Sequence, residues 1–248
     1  MRLQLCTWTE VREYLAQSKT IIMPIGSTEQ HGPNGLIGTD ALSAEGIAWA
    51  AGEAAGVMVG PTIHVGMAHH HMEFPGSMTL RPSTLMLVIK DYVLSLAEHG
   101  FERFLFVNGH GGNVPTINAA FYETYAELRA RHGRDPFEIR CKLLNWWEAE
   151  GVAPLARELY GSQDGSHATA SEVAVCQHLY PDHIKQAVMD PPVAPSSRFY
   201  HAHDYRRRFP DGRIGSNPAL ATPEAGKRLF DVAVAGTAKA VNALAVEF

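Results

Sequence analysis

Cysteine is scarce in this 248-residue chain: Cys6, Cys141 and Cys176 are three in number and far apart. That argues against a disulfide framework and for reduced thiols in a cytoplasmic protein. Long apolar runs are missing as well. None approaches the roughly 18 residues that span a bilayer, and Met1-Arg2-Leu3-Gln4-Leu5-Cys6 reaches Glu10 too soon to hold a signal peptide's apolar region. Positive charge is thin, with Arg206-Arg207-Arg208 as the one basic cluster. At a net charge of -5, nucleic acid is not expected as a partner, and neither is a membrane. No G-x-S-x-G elbow, Walker lysine or suggestively placed cysteine marks a nucleophile or a phosphate site. Histidine, by contrast, is plentiful at 13 residues, including the internal run His69-His70-His71.

The apolar pattern alternates strands with helices. Thr7-Trp8-Thr9-Glu10 fits a capping box opening a short helix to about Gln17. Strands are expected over 20–25, 57–59, 62–65, 103–107 and 137–144, and helices over 40–54, 82–96 and 114–131, with a helical piece to about Tyr160, a helix after Glu172 to Tyr180 and a final one from 222 onward. Residues 66–81 have no helical period and read as a loop over the site. Residues 181–222 have little periodicity and read as an excursion that covers the site or contacts a neighbouring subunit. The alternation indicates a three-layer α/β/α fold with a mostly parallel central sheet. Such sheets bind ligands beyond the carboxyl ends of their strands.

Three polar segments follow expected strands. In Gly26-Ser27-Thr28-Glu29-Gln30-His31-Gly32, Glu29 and His31 are two apart, so extended chain points both to one side. Asp40 follows where a helix begins; a carboxylate, an imidazole and a second carboxylate are donors a divalent metal takes. Asp40 is equally suited to cap that helix. Asn108-Gly109-His110-Gly111-Gly112-Asn113 does not match the G-x-G-x-x-G phosphate cradle, because Val114 stands where the third glycine belongs. A histidine among glycines suits a metal ligand better. Trp146-Trp147 places one ring in the pocket, and of His69, His70 and His71 at most one is expected to face it. Glu172 stays ambiguous: Thr169-Ala170-Ser171-Glu172 is also a capping box.

With Glu29, His31, Asp40 and His110 identified, the chain resembles the creatininase (creatinine amidohydrolase) family. The motifs that carry the resemblance are the Gly26–Gly32 segment, Gly38-Thr39-Asp40, Phe74-Pro75-Gly76, the Asn108–Asn113 segment, and Ser166-His167-Ala168 with Glu172 five after His167. The resemblance implies a single domain over 1–248, the three-layer fold, two divalent ions (zinc, manganese or iron) and often a hexamer. It further implies that Asp40 bridges the ions, with Glu29 and His110 completing one site and His31 and a further glutamate the other. Creatininase itself has that glutamate two residues after the histidine matching His110, where this chain has Gly112. Glu172 is the expected replacement, and the departure speaks against creatinine as substrate. His167 matches the family's proton-transferring histidine, so His167 and Glu172 are the expected catalytic pair.

The expected activity is hydrolysis of a cyclic or linear amide C–N bond of a small molecule by a hydroxide bridging two ions. Two ions bring four positive charges; Glu29, Asp40, Glu172 and one hydroxide balance them, as burial requires. The alternatives are a deformylase or ring-opening hydrolase on a pterin- or pyrimidine-like compound, and a non-catalytic metal-binding module of the same fold.

Overall fold

The computed structural model describes residues 1–133 and 138–247. Thr7 caps α1 (Trp8–Leu15) in the expected box, its hydroxyl taking the Glu10 N–H. β1 (Thr20–Ile25) is buried throughout and leads by a glycine-rich loop to α2 (Thr39–Ala55). β2 (Met58–Val59), α3 (Pro82–Glu98), β3 (Arg103–Asn108), α4 (Val114–His132) and β4 (Arg140–Asn145) follow. Then come α5 (Val152–Tyr160), α6 (Ala170–Leu179), α7 (Ala202–Arg208) and α8 (Pro223–Ala245). The strands pair in the order β2-β1-β3-β4, all parallel, with Ile22 level with Leu105 and Leu105 with Lys142.

Because strand side chains alternate, β1 and β3 feed two cores at once. Ile22, Leu105 and Val107 pack with Ile47 and Ala51 of α2, Ala174 of α6, and Leu229 and Val241 of α8. Ile21, Met23, Ile25, Phe104 and Phe106 face the other way, onto Leu85 and Ile89 of α3 and Ile117 and Phe121 of α4. The result is the three-layer α/β/α arrangement. Pro24 sits inside this sheet, where a missing N–H is ordinarily costly. Its carbonyl accepts the Ile63 N–H at 3.0 Å, so its nitrogen faces the side where β2 has already ended. No ladder bond is lost.

Several expectations change. The strand over 62–65 shrinks to one parallel bridge, Ile25 to Ile63, because Gly60-Pro61 turns the chain out of the sheet. Phe137, the expected start of the fourth strand, lies outside the described residues, and β4 begins at Arg140. The loose 181–222 segment contains α7, whose Tyr205 packs with Phe74, Phe209 and Ile214 in a small separate core. Helix α2 has Gly38 as its N-cap, with no side-chain cap. Asp40 is therefore free of capping. Among the described residues no helix is long and apolar enough to cross a membrane.

Phe106 is wholly buried, its ring centroid 5.3 Å from that of Phe121. Phe106→Ala should cost about 3–5 kcal/mol by denaturant unfolding. Leu87→Ala, at a half-exposed position of α3, should stay within about 0.5 kcal/mol.

Candidate metal centre

Asparagines lock the loops beyond β1, β3 and β4 together. Asn108 takes the His110 N–H on Oδ1 at 3.1 Å and donates through Nδ2 to Asn145 Oδ1 at 2.8 Å. Asn113 donates to the Gly26 carbonyl at 2.9 Å and accepts the Met67 N–H at 2.9 Å. The sheet edge thus becomes a fixed frame for Glu29, His31 and His110, while the first turn of α2 delivers Asp40.

Asp40 is buried between two histidines: Oδ1 lies 2.9 Å from His31 Nε2, and Oδ2 lies 3.1 Å from His110 Nδ1. Glu29, fully buried, has Oε1 3.2 Å from His110 Nδ1 and 3.1 Å from His71 Nε2, and Oε2 accepts the Ser27 hydroxyl at 2.8 Å. Both outer ring nitrogens are occupied. His110 Nε2 donates to the Met67 carbonyl at 2.9 Å and His31 Nδ1 to the Glu29 carbonyl at 3.1 Å, so in each neutral ring the nitrogen left without a hydrogen is the one beside the carboxylates. Glu29, Asp40 and His110 form one group of donors within 4.8 Å of one another, and His31, Asp40 and Glu172 form a second. A third group joins Glu29, His31 and His167.

Glu29 Oε1, His31 Nε2, Asp40 Oδ2 and His71 Nε2 are buried with no aligned hydrogen-bond partner. Glu29, His31 and Asp40 belong to the donor groups just described, and unpartnered buried atoms of this kind are what a buried cation satisfies. The charges agree. Burial opposes a proton on His31, yet Asp40 and Glu172 beside it push its pKa up to about 10. Burial likewise opposes a proton on His110, and Glu29 and Asp40 overcome it, holding it well above the usual range. For Glu29, burial favours the neutral acid, but His110 and His71 keep it well below the usual carboxylate range. The centre has a surplus of negative charge that recruits cations, and the donor set suits divalent metals.

Glu172 closes the capping box and also lies at the centre. Its Oε2 takes the Thr169 N–H at 2.7 Å in a complete capping box, and the carboxylate still reaches His31 and Asp40. Burial, with Asp40 adding to it against His31, pushes it up to about 7. His167 is buried, 3.8 Å from Glu29 Oε1 through Nδ1. A cavity of about 540 Å³ opens over the centre. Both Trp146 and Trp147 line it, as do His70 and His71, which exceeds the single ring and single histidine expected. The reason is the short helical turn over His69–His71, which leaves only His69 exposed. Gln30, Asn108 and Asn113 were singled out by sequence reasoning only through their place within the glycine-rich motifs, and His71 only as one member of the His69–His71 run.

Fold and centre together define a three-layer α/β protein with a carboxylate–histidine site for divalent metal. The creatininase family model, described as creatinine amidohydrolase, matches residues 4–241, and the chain belongs to that family. It is a hydrolase of that family. Creatinine amidohydrolase of Pseudomonas putida is 26% identical over 95% of this chain and 94% of its own length. A mycofactocin precursor peptide peptidase of Mycolicibacterium smegmatis is 28% identical over 90% of this chain and 84% of its own. A 3-dehydro-scyllo-inosose hydrolase of Thermotoga maritima is 31% identical over 74% of this chain and 57% of its own. A manganese creatininase structure superposes with a TM-score of 0.89 at 24% identity, covering 99% of both chains.

Position 112 has no room for a side chain in this arrangement. A Cβ there would lie 2.3 Å from His110 Nε2 and 2.7 Å from the Met67 carbonyl, breaking the bond that aims His110. Gly112→Ala should bind divalent metal about 10–100-fold less tightly, measured by chelator competition.

Proposed function

We propose that the chain is a binuclear metal-dependent amidohydrolase that cleaves a C–N bond of a small molecule. The observation that carries this reading is the pair of donor groups sharing Asp40. Glu29, Asp40 and His110 hold one ion; His31, Asp40 and Glu172 hold the other. Two bound divalent ions, zinc or manganese with iron also accommodated, polarise a carbonyl and acidify water. The chain's own residues do the rest. His167 moves a proton between the water and the leaving nitrogen, a task for a neutral imidazole facing the centre. Trp146, Trp147 and Phe199 give the cavity aromatic walls that orient a flat substrate and exclude water. No lysine or arginine stands among the described residues lining the cavity. That supports a neutral amide over an anion.

The homo-oligomer that the resemblance implies, a hexamer, is part of the proposal. Trp8, Tyr122, Val188 and Tyr200 leave apolar surface exposed for it.

Metal per chain, measured by elemental analysis without chelator, should be near two in the wild type and near one in Glu172→Gln. Glutamine still accepts the Thr169 N–H, so the variant's Tm should move by no more than about 2 °C. Two ions in both proteins would return Glu172 to capping alone. A well-folded wild type that holds none after zinc or manganese reconstitution would favour the binding module.

His167→Ala should keep both ions and lose turnover by about 10²–10⁴-fold on an amide panel that includes formylated amines. Loss of an ion instead would make His167 a ligand.

A further inference from the structure

Gln30 lies between the centre and the 199–217 segment, and its carboxamide has one consistent orientation. The Gly32 N–H can only donate, and it points at Gln30 Oε1 at 2.8 Å. The opposite atom, Nε2, is therefore the amide nitrogen, with two hydrogens to place. One goes to the Gly212 carbonyl at 3.0 Å, which also accepts the Tyr205 hydroxyl at 2.7 Å. The other goes to His71 Nδ1 at 2.9 Å. Gly212 has φ +88, and a Cβ there would lie 1.9 Å from Gln30 Oε1, so the contact depends on glycine.

These placements fix two imidazoles. His71 Nδ1 accepts a hydrogen, so the neutral ring carries its proton on Nε2. That nitrogen is buried, unpartnered and turned to the centre, 3.1 Å from Glu29 Oε1. His167 Nε2 lies 2.9 Å from the Gln30 backbone carbonyl and 2.9 Å from the Gln30 amide nitrogen. With both amide hydrogens engaged, His167 Nε2 donates to that carbonyl, and Nδ1 turns its lone pair to the centre. The two rings lie stacked, centroids 4.4 Å apart.

We propose that Gln30 is a positioning residue that makes His71 a hydrogen-bond donor and His167 a proton acceptor toward the same cavity. Both rings hold the same tautomer, yet they present opposite faces. The inference rests on the hydrolase reading for its use. His167 Nδ1 takes the proton from the attacking water, and His71 Nε2–H stands ready for the oxygen that gains charge as the carbonyl is attacked. His71 thereby joins the residues that act on substrate.

The test reads tautomers directly, by long-range ¹H–¹⁵N correlation of imidazoles in the ¹⁵N-histidine-labelled, zinc-loaded protein, with signals assigned by single histidine substitutions. Wild type should show His71 and His167 both neutral and protonated at Nε2. Gln30→Glu keeps the acceptor for Gly32 and removes the donor to His71, so His71 should gain a proton at Nδ1. The variant should keep the wild-type zinc content and KM within two-fold while kcat falls about 10–100-fold. Gln30→Met, which has no donor and only a weak sulfur acceptor, should behave no better. A wild-type His71 protonated at Nδ1 overturns the proposal, as does a Gln30→Glu protein whose His71 signals are unchanged. If the variants do not fold, the wild-type spectrum decides alone. Failure of the hydrolase reading is seen separately, as a wild type without metal or turnover.

Discussion

Asp40 meets a histidine with each carboxylate oxygen, and all three groups are out of water. Such a cluster is unstable on its own terms. The carboxylates must either take protons or be neutralised by cations, and the raised pKa values of His31 and His110 show which demand the site makes when only protons are available. Much of the local architecture serves this one constraint. Gly38 leaves Asp40 uncapped, the Asn108 and Asn113 side chains hold three loops in register around it, and His31 and His110 are pinned by backbone carbonyls on their far sides.

The parallel sheet supplies the rigidity. Glu29 and His110 come from loops after adjacent strands whose registers run side by side from Thr20 and Arg103 to Ile25 and Asn108. A shift of one residue in either strand would exchange the two cores and move both donors, so packing of Ile21, Ile22, Phe104 and Leu105 also sets the geometry of the centre. Stability and chemistry are linked at that register rather than at any single contact.

How much of this could be read from the sequence follows from how local each determinant is. Glu29, His31 and His110 lie within a few residues of a strand end, in glycine-rich loops, and their direction is set by that position. The layers were legible for the same reason: near-continuous apolar strands alternate with amphipathic helices. What was not legible depends on chain far away. The role of His71 is decided by Gln30, whose carboxamide is oriented by the Gly32 N–H and held at its other end by the Gly212 carbonyl, 182 residues on. Nothing in the run His69-His70-His71 distinguishes its third member. Helix α7 was missed because seven residues hold too few apolar positions to show a period, and Tyr205 is buried by Phe74, Phe199 and Phe209 rather than by its own helix.

The relation between Gly112 and Glu172 shows how one requirement can be met from different elements. In the proposed binuclear site, the second ion would need a carboxylate opposite His31. Position 112 could offer one only if His110 gave up its bond to the Met67 carbonyl, since the added side chain would take that space. With that route closed, the carboxylate comes from the first turn of α6, where the helix N-terminus stabilises negative charge. There the same residue closes the capping box with Thr169. The cap holds one oxygen in a fixed place and so limits how the other can turn. A carboxylate held this way would give the proposed second site a rigid ligand, and would tie that site to the layer of α6 and α8 instead of to the loop beyond β3.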